Sequence, residues 1–151
     1  MTSKASDLVA KAKQWAGYYG DFPNGEEGAV FTVPLRLRAA WDAGDADALA
    51  DLFTDDGSML IGDEQLRGRE AIRAYLAEQF AGAYRGSKVA DEPVQCKFLA
   101  DGVALAITKG GIILDGATEI APENENRATW VVRKEAGDYK LVSHQTSPIR
   151  G

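Results

Sequence analysis

The sequence predicts an α+β domain in which helices come first and a run of strands follows. Three observations predict it. Apolar residues recur at helical spacing in three stretches between Leu35 and Phe80, a short hairpin separates the last two of these, and from Ala83 onward apolar and polar residues alternate with period two. Helices gathered at one end of a chain and hairpin-connected strands at the other make a helix layer packed on one antiparallel sheet.

Each element follows from its local pattern. Leu37, Ala40 and Trp41 fall at i, i+3 and i+4 of a first helix, Gly44 supplies a left-handed stop, and Asp45 caps the next helix. Leu49, Leu52 and Phe53 repeat the spacing, so the second helix is predicted to continue to Phe53 and to break at Asp55, Asp56 and Gly57. SMLI (58–61) reads as a strand, GDEQ as its turn and QLRG as the return. Gly68 then opens a third helix with Ile72, Tyr75, Leu76, Gln79 and Phe80 along one side. A long hairpin turns at Ala100-Asp101-Gly102. Its first strand alternates Val94, Cys96 and Phe98 with Gln95, Lys97 and Leu99, and its second puts Val103, Leu105 and Ile107 on one face. Gly110 and Gly111 interrupt the alternation and predict a bulge or bend, or a place where a ligand nears the backbone. After the polar loop DGATEIAPENEN, Ala128, Trp130 and Val132 alternate with Thr129, Val131 and Arg133, and EAGD turns the chain into the last strand, YKLVSHQTS.

The segments WDAGDADALADLFTDDGSML, LRGREAI and YKLVSHQTSP together resemble the NTF2-like superfamily, in its SnoaL-like branch and its SgcJ/EcaC type, over roughly Glu27 to Pro148. The resemblance implies a cone: a strongly curved antiparallel or mixed sheet with three helices covering its concave face. That superfamily contains isomerases, polyketide cyclases, dehydratases and proteins that only bind or dimerise, so the fold leaves the chemistry open. Its SgcJ/EcaC type implies a role in enediyne (polyketide) biosynthesis, on an apolar conjugated metabolite. It also implies pairing of two copies through the sheet as a homodimer.

Composition narrows the classes. The 151 residues, 45% of them hydrophobic, suit one core without metal or disulfide staples. Residues 29–151 are expected to form the domain. Residues 1–28 are expected to form an N-terminal arm in which residues 5–16 can make a short helix and an aromatic stretch, Tyr18, Tyr19 and Phe22, packs on its own subunit, on a neighbour or across a pocket mouth. A net charge of −6 argues against nucleic-acid binding, which needs a basic surface. No stretch has the length of a membrane span or a signal peptide, so a cytoplasmic protein with no membrane partner is expected. The single cysteine, Cys96, lies in an alternating strand and reads as a small core residue.

No cofactor is implied. With one His and one Cys the chain cannot assemble the usual zinc site, TDDG lacks the alternating oxygens of a calcium loop, and no phosphate-binding or dinucleotide motif is present, so no metal is expected. Ser143 beside His144 is no catalytic pair, because neighbours on a strand point to opposite faces. Acid–base chemistry in an apolar pocket remains, with His144 and Asp63 as the catalytic candidates: His144 is the only side chain that ordinarily titrates near neutrality, and Asp63 sits in a hairpin tip that could fold inward. Trp41, Phe53, Tyr75 and Trp130 are the candidate apolar walls for a ligand. Simple alternation puts Tyr139, Leu141, Ser143 and Gln145 on the inner face, making Gln145 the pocket hydrogen-bonder and sending His144 outward unless a bulge intervenes. Two functions stay open: an isomerase- or cyclase-like enzyme acting on an apolar metabolite, and a non-catalytic ligand-binding or dimeric assembly module.

Overall fold

A computed structural model describes residues 26–149 of the chain. The arm expected over residues 1–28 lies outside them except for its end, which opens the first helix. Three helices, α1 (Glu26–Asp42), α2 (Ala46–Ala50) and α3 (Arg69–Ala81), accompany six strands: β1 (Phe53–Ile61), β2 (Glu64–Arg67), β3 (Lys88–Ala100), β4 (Val103–Ile113), β5 (Glu125–Glu135) and β6 (Asp138–Pro148). The strands form one curved mixed sheet in the order β2-β1-β6-β5-β4-β3, in which only the β1/β6 pair is parallel.

The end of α1 is set by hydrogen-bond accounting. Gly44, at φ +64°, lets its own N–H reach the Trp41 carbonyl at 2.8 Å and the Asp45 N–H reach the Ala40 carbonyl at 2.9 Å, which satisfies carbonyls a helix end would leave bare. Asp45 then caps α2 by accepting from the Ala48 N–H at 3.0 Å. The chain reverses within a few residues, and Leu49 and Ala50 are buried against the same core as Leu37 and Trp41.

Phe53 corrects the predicted second helix: α2 stops at Ala50, and Phe53 begins β1. The helical spacing of Leu49, Leu52 and Phe53 also suits a short helix that passes straight into a buried strand. Asp55, Asp56 and Gly57 do not break an element. They lie within β1, where Phe53 pairs with Leu141 and Ser58 with Ser143, so β1 takes five steps while β6 takes two. The excess bulges outward. Arg69 ties it down by pairing with Asp55 at 2.8 Å and donating to the Phe53 carbonyl from Nε at 3.0 Å. Gly57 is required because a Cβ there would stand 2.9 Å from the Leu141 carbonyl oxygen.

The sheet's inner face is read from its register. Ala104 and Ala106 of β4 pair with Val132 and Trp130 of β5, and all four are buried with Leu141 and Tyr139 of β6. Small residues on β4 leave room for the Trp130 indole. Val103, Leu105 and Ile107 take the opposite, outer face and are half-buried. Full burial of side chains such as Trp130, Phe31, Leu76 and Leu141 is worth about 1.5–3 kcal/mol each.

Gly110 and Gly111 mark no bulge. The ladder runs unbroken through them, Gly110 pairing with Asp91 and Asn126, Gly111 with Ala90 and Glu125. The two shifts in the β3/β4 register fall on β3, between Pro93 and Gln95 and between Phe98 and Ala100. Glycine is needed instead because the neighbouring backbones close in, as a Cβ on Gly110 would come 2.0 Å from the Ala90 oxygen. One turn carries avoidable strain: Ala136 joins β5 to β6 at φ 53°, beside Gly137 at φ 85°. Two successive positive φ values favour Asn-Gly. Ala136→Asn is therefore expected to stabilise the fold by about 0.5–1 kcal/mol, read as a higher urea midpoint at constant slope.

Candidate functional site

Between α1 and the concave face of the sheet lies a cavity of about 300 Å³. Trp41 and Trp130 form two of its walls, and both indoles are fixed by hydrogen bonds. Trp41 Nε1 donates to Ser87 Oγ at 2.9 Å, and Ser87 in turn donates to the Tyr84 carbonyl. Phe80 meets the Trp41 ring edge-on at 5.1 Å. Trp130 Nε1 donates to Thr108 Oγ1 at 2.9 Å, so the polar edge of each indole is satisfied.

His144 enters this cavity because β6 contains the bulge that simple alternation omits. Val131 pairs with Ser143 and Val132 with Leu141, which leaves Val142 unpaired by β5 and exchanges the inward and outward sets beyond it. His144 then stands between Trp130 and Met59, its ring edge-on to the Trp130 indole at 4.3 Å, and is 6% exposed. The same exchange corrects Gln145. It faces away from the cavity and donates to Ser143 Oγ at 3.0 Å and Ser58 Oγ at 3.4 Å.

The other expected residues separate. Trp41 and Trp130 line the cavity, whereas Phe53, wholly buried, packs in the core without reaching it. Tyr75 lies half-buried on α3 and does not line the cavity either; burial pushes its phenol above the ordinary value of 10.0. Both were assigned from helical faces that meet the core beside the cavity. Asp63, exposed in the β1/β2 turn, lines the cavity's mouth.

Sequence reasoning missed Asp91. This β3 residue lines the cavity beside Val89, and its Oδ1 is buried without a hydrogen-bond partner among the described residues. The residue as a whole is only half-buried, but the carboxyl oxygen is sequestered, and that is what matters for its charge. Burial pushes its pKa from 3.8 up to about 7, against the opposing pull of the Arg38 guanidinium. The available signal was its place opposite Gly110: a carboxylate on a strand position whose cross-strand neighbour has no side chain.

His144 is the complementary case. Its Nδ1 is buried without a partner among the described residues, and desolvation lowers its pKa from 6.5 to about 4. The ring stays neutral at physiological pH, able to donate from one nitrogen and accept at the other. The unfolded chain takes up a proton near pH 6.5 that the native protein refuses until about pH 4, so this residue costs stability progressively as pH falls between those values. Relative to His144→Gln, the wild type is expected to lose on the order of 2–3 kcal/mol between pH 7 and pH 4.5, measured by urea unfolding at each pH.

Asp91 and His144 are not bonded to each other. His144 lies opposite Trp130, while Asp91 lies opposite Gly110, whose β5 partner is Asn126, so the two approach the cavity from different strands and different rows of the sheet. A ligand between the tryptophans would meet a carboxyl group that ionises near neutrality and a neutral imidazole. Among the described residues, no group of three or more His, Cys, Asp or Glu side chains could hold a metal ion. None of their helices is long and apolar enough to cross a membrane.

A curved mixed sheet with helices packed over it is the cystatin-like, NTF2-like α+β fold. The chain belongs to the SnoaL-like domain family, whose model matches residues 32–151. Solved structures agree on the fold. A domain of unknown function with a cystatin-like fold from Nostoc punctiforme superposes with a TM-score of 0.78 at 20% identity, covering 86% of this chain and 81% of that one. A candidate calcium/calmodulin-dependent protein kinase II association domain from Xanthomonas campestris gives 0.68 at 21% identity, covering 87% and 94%. A candidate scytalone dehydratase from Novosphingobium aromaticivorans gives 0.67 at 18% identity, covering 83% and 89%. No curated protein matches the chain.

Proposed function

We propose that this protein performs cofactor-independent acid–base chemistry on a small, apolar, conjugated metabolite held between Trp41 and Trp130. The observation that carries this reading is the pair of buried, unpartnered protonable groups, Asp91 Oδ1 and His144 Nδ1, on one cavity. Leaving such groups unpaired costs stability, and a ligand that pairs with them explains their retention. A carboxyl group poised near pH 7 suits a proton shuttle. In an isomerisation, the Asp91 carboxylate would take a proton from carbon, the electron pair would move into the conjugated system, and the proton would return at a remote carbon. The neutral His144 ring would donate a hydrogen bond to the oxygen on which charge develops.

The cavity's volume lies at the small end for ligand sites, which favours a compact bicyclic ring or short polyene. The SgcJ/EcaC-type motifs support a polyketide metabolite of enediyne biosynthesis. Likeness to a candidate scytalone dehydratase supports a carbon–oxygen skeleton open to proton transfer. Cytoplasmic location belongs to the same reading, as does a homodimer pairing through the half-buried outer residues Leu105, Ile107 and Val131.

Tryptophan fluorescence tests binding. A short linear polyene is expected to quench emission saturably, and Trp41→Ala is expected to weaken its affinity about tenfold or more with the fold intact by circular dichroism. Equal quenching curves for both proteins would remove the cavity as the ligand site. A second reading, a binding or assembly module without turnover, draws on the exposed Val94, Phe98, Leu99 and Leu114 and on the likeness to a candidate association domain. It predicts saturable quenching with no chemical change in the ligand.

A further inference from the structure

The charge around this cavity has one sign. Asp63 in the β1/β2 turn, Glu123 in the short 3-10 turn Pro122–Asn124 and Glu125 at the start of β5 all line it, with Asn124 and Asn126 among them. Among the described residues, no lysine or arginine lines it. Arg38, whose positive charge opposes the upward shift of Asp91, is exposed on α1 and is not part of the wall.

Acidic residues at a mouth do not by themselves define a site, but here they surround one. Asp91 Oδ1 and His144 Nδ1 are sequestered on the same cavity, without partners among the described residues, and His144 is 6% exposed. These interior groups call for a ligand that offers hydrogen bonds. The residues around the mouth decide which charge that ligand can carry. An anionic head group would pass Asp63, Glu123 and Glu125 and then lose its water with no lysine or arginine among the described residues of the wall to replace it, and both steps are unfavourable. An uncharged carbonyl or hydroxyl meets neither penalty, and an ammonium group would be drawn in.

We propose that Asp63, Glu123 and Glu125 form a charge filter that admits uncharged or amine-bearing apolar ligands and rejects carboxylates, phosphate esters and thioesters on phosphate-bearing carriers. The proposal rests on the cavity being the ligand site and specifies its substrate class. It gives Asp63 a role in selection at the mouth and leaves proton transfer to the interior.

Three probes sharing a naphthalene skeleton test this: a methyl ketone, an aminomethyl compound and a carboxylate, each titrated against tryptophan emission at low salt. The ketone and the amine are expected to bind, and the carboxylate to bind at least about tenfold more weakly than the ketone. In a variant combining Asp63→Asn, Glu123→Gln and Glu125→Gln, the gap is expected to shrink several-fold, and likewise in wild type at about 1 M salt, where the Debye length falls to about 3 Å. A carboxylate that binds as tightly as the ketone, or a gap unchanged in the triple variant, overturns the filter while leaving the ligand site standing. Absence of saturable quenching by all three probes removes the ligand site and the filter together.

Discussion

Replacing Asp91 with asparagine is expected to lower kcat/KM for a proton-transfer substrate by about 10²–10⁴-fold while leaving affinity for a neutral ligand within a few-fold of wild type. The amide keeps the size and much of the hydrogen bonding of the carboxyl group but can neither take nor return a proton. In wild type, kcat/KM is expected to rise with pH through about 7 and then level off, because the carboxylate is the active form and His144 is already neutral above about pH 4. The variant should lose that inflection. Stability should move the opposite way. The unfolded chain ionises this aspartate near 3.8 and the native one only near 7, so the residue destabilises the fold progressively as pH rises between those values and most fully above them. Removing the ionisable group is expected to gain on the order of 2–4 kcal/mol at pH 8 and close to nothing near pH 3.5. A less active but more stable protein marks a group retained for function. Unchanged turnover, or equal stability of the two proteins at both pH values, would place Asp91 outside the chemistry.

Gly110→Ala is expected to cost about 3–5 kcal/mol, among the largest effects available to a single methyl group. Its Cβ would fall 2.0 Å from the Ala90 oxygen and 2.6 Å from the Asp91 Cα, both backbone atoms that no side-chain rotation can move aside. The β3 and β4 backbones must separate, and Asp91 moves with them. Gly116→Ala is the control. That glycine has φ +82° but nothing within 4 Å of an added Cβ, so only backbone strain applies, about 1 kcal/mol. Urea midpoints of the two variants separate the causes, and a Gly110→Ala protein as stable as Gly116→Ala would show that the strands yield at little cost.

The sequence made the architecture legible because the apolar period changes cleanly from helical to alternating near residue 83 and because Gly44, Asp45, Gly68 and Gly102 punctuate it. It misled where two structures share one pattern. Leu49, Leu52 and Phe53 suit a helix or a helix running into a strand, and only pairing with β6 decides between them. The cavity was less legible than the fold. Trp41 and Trp130 stood out by size, whereas Phe53 and Tyr75 share the same apolar character and differ only in which side of the core they meet. The phase of β6 depends on one unpaired residue, Val142, which leaves no mark on composition or alternation. Asp91 was hidden because a lone carboxylate on a strand ordinarily faces water, and its burial depends on a glycine nineteen positions later in the chain.

The position of β6 has a consequence for how the chain reaches this form. It is the last of the six strands in sequence yet lies between β1 and β5, so without it the sheet is two unjoined pieces, β2-β1 and β5-β4-β3. During synthesis the helices and the β3/β4/β5 meander can form as they emerge, but β1 has no partner beyond the four-residue β2 until Asp138–Pro148 has been made. The parallel join spans most of the domain's length, a long-range closure of the kind that slows folding and leaves strand edges open meanwhile. Nascent chains that stall before residue 138 are therefore expected to be the vulnerable population, with the edges of β1 and β5 both free to pair with another molecule.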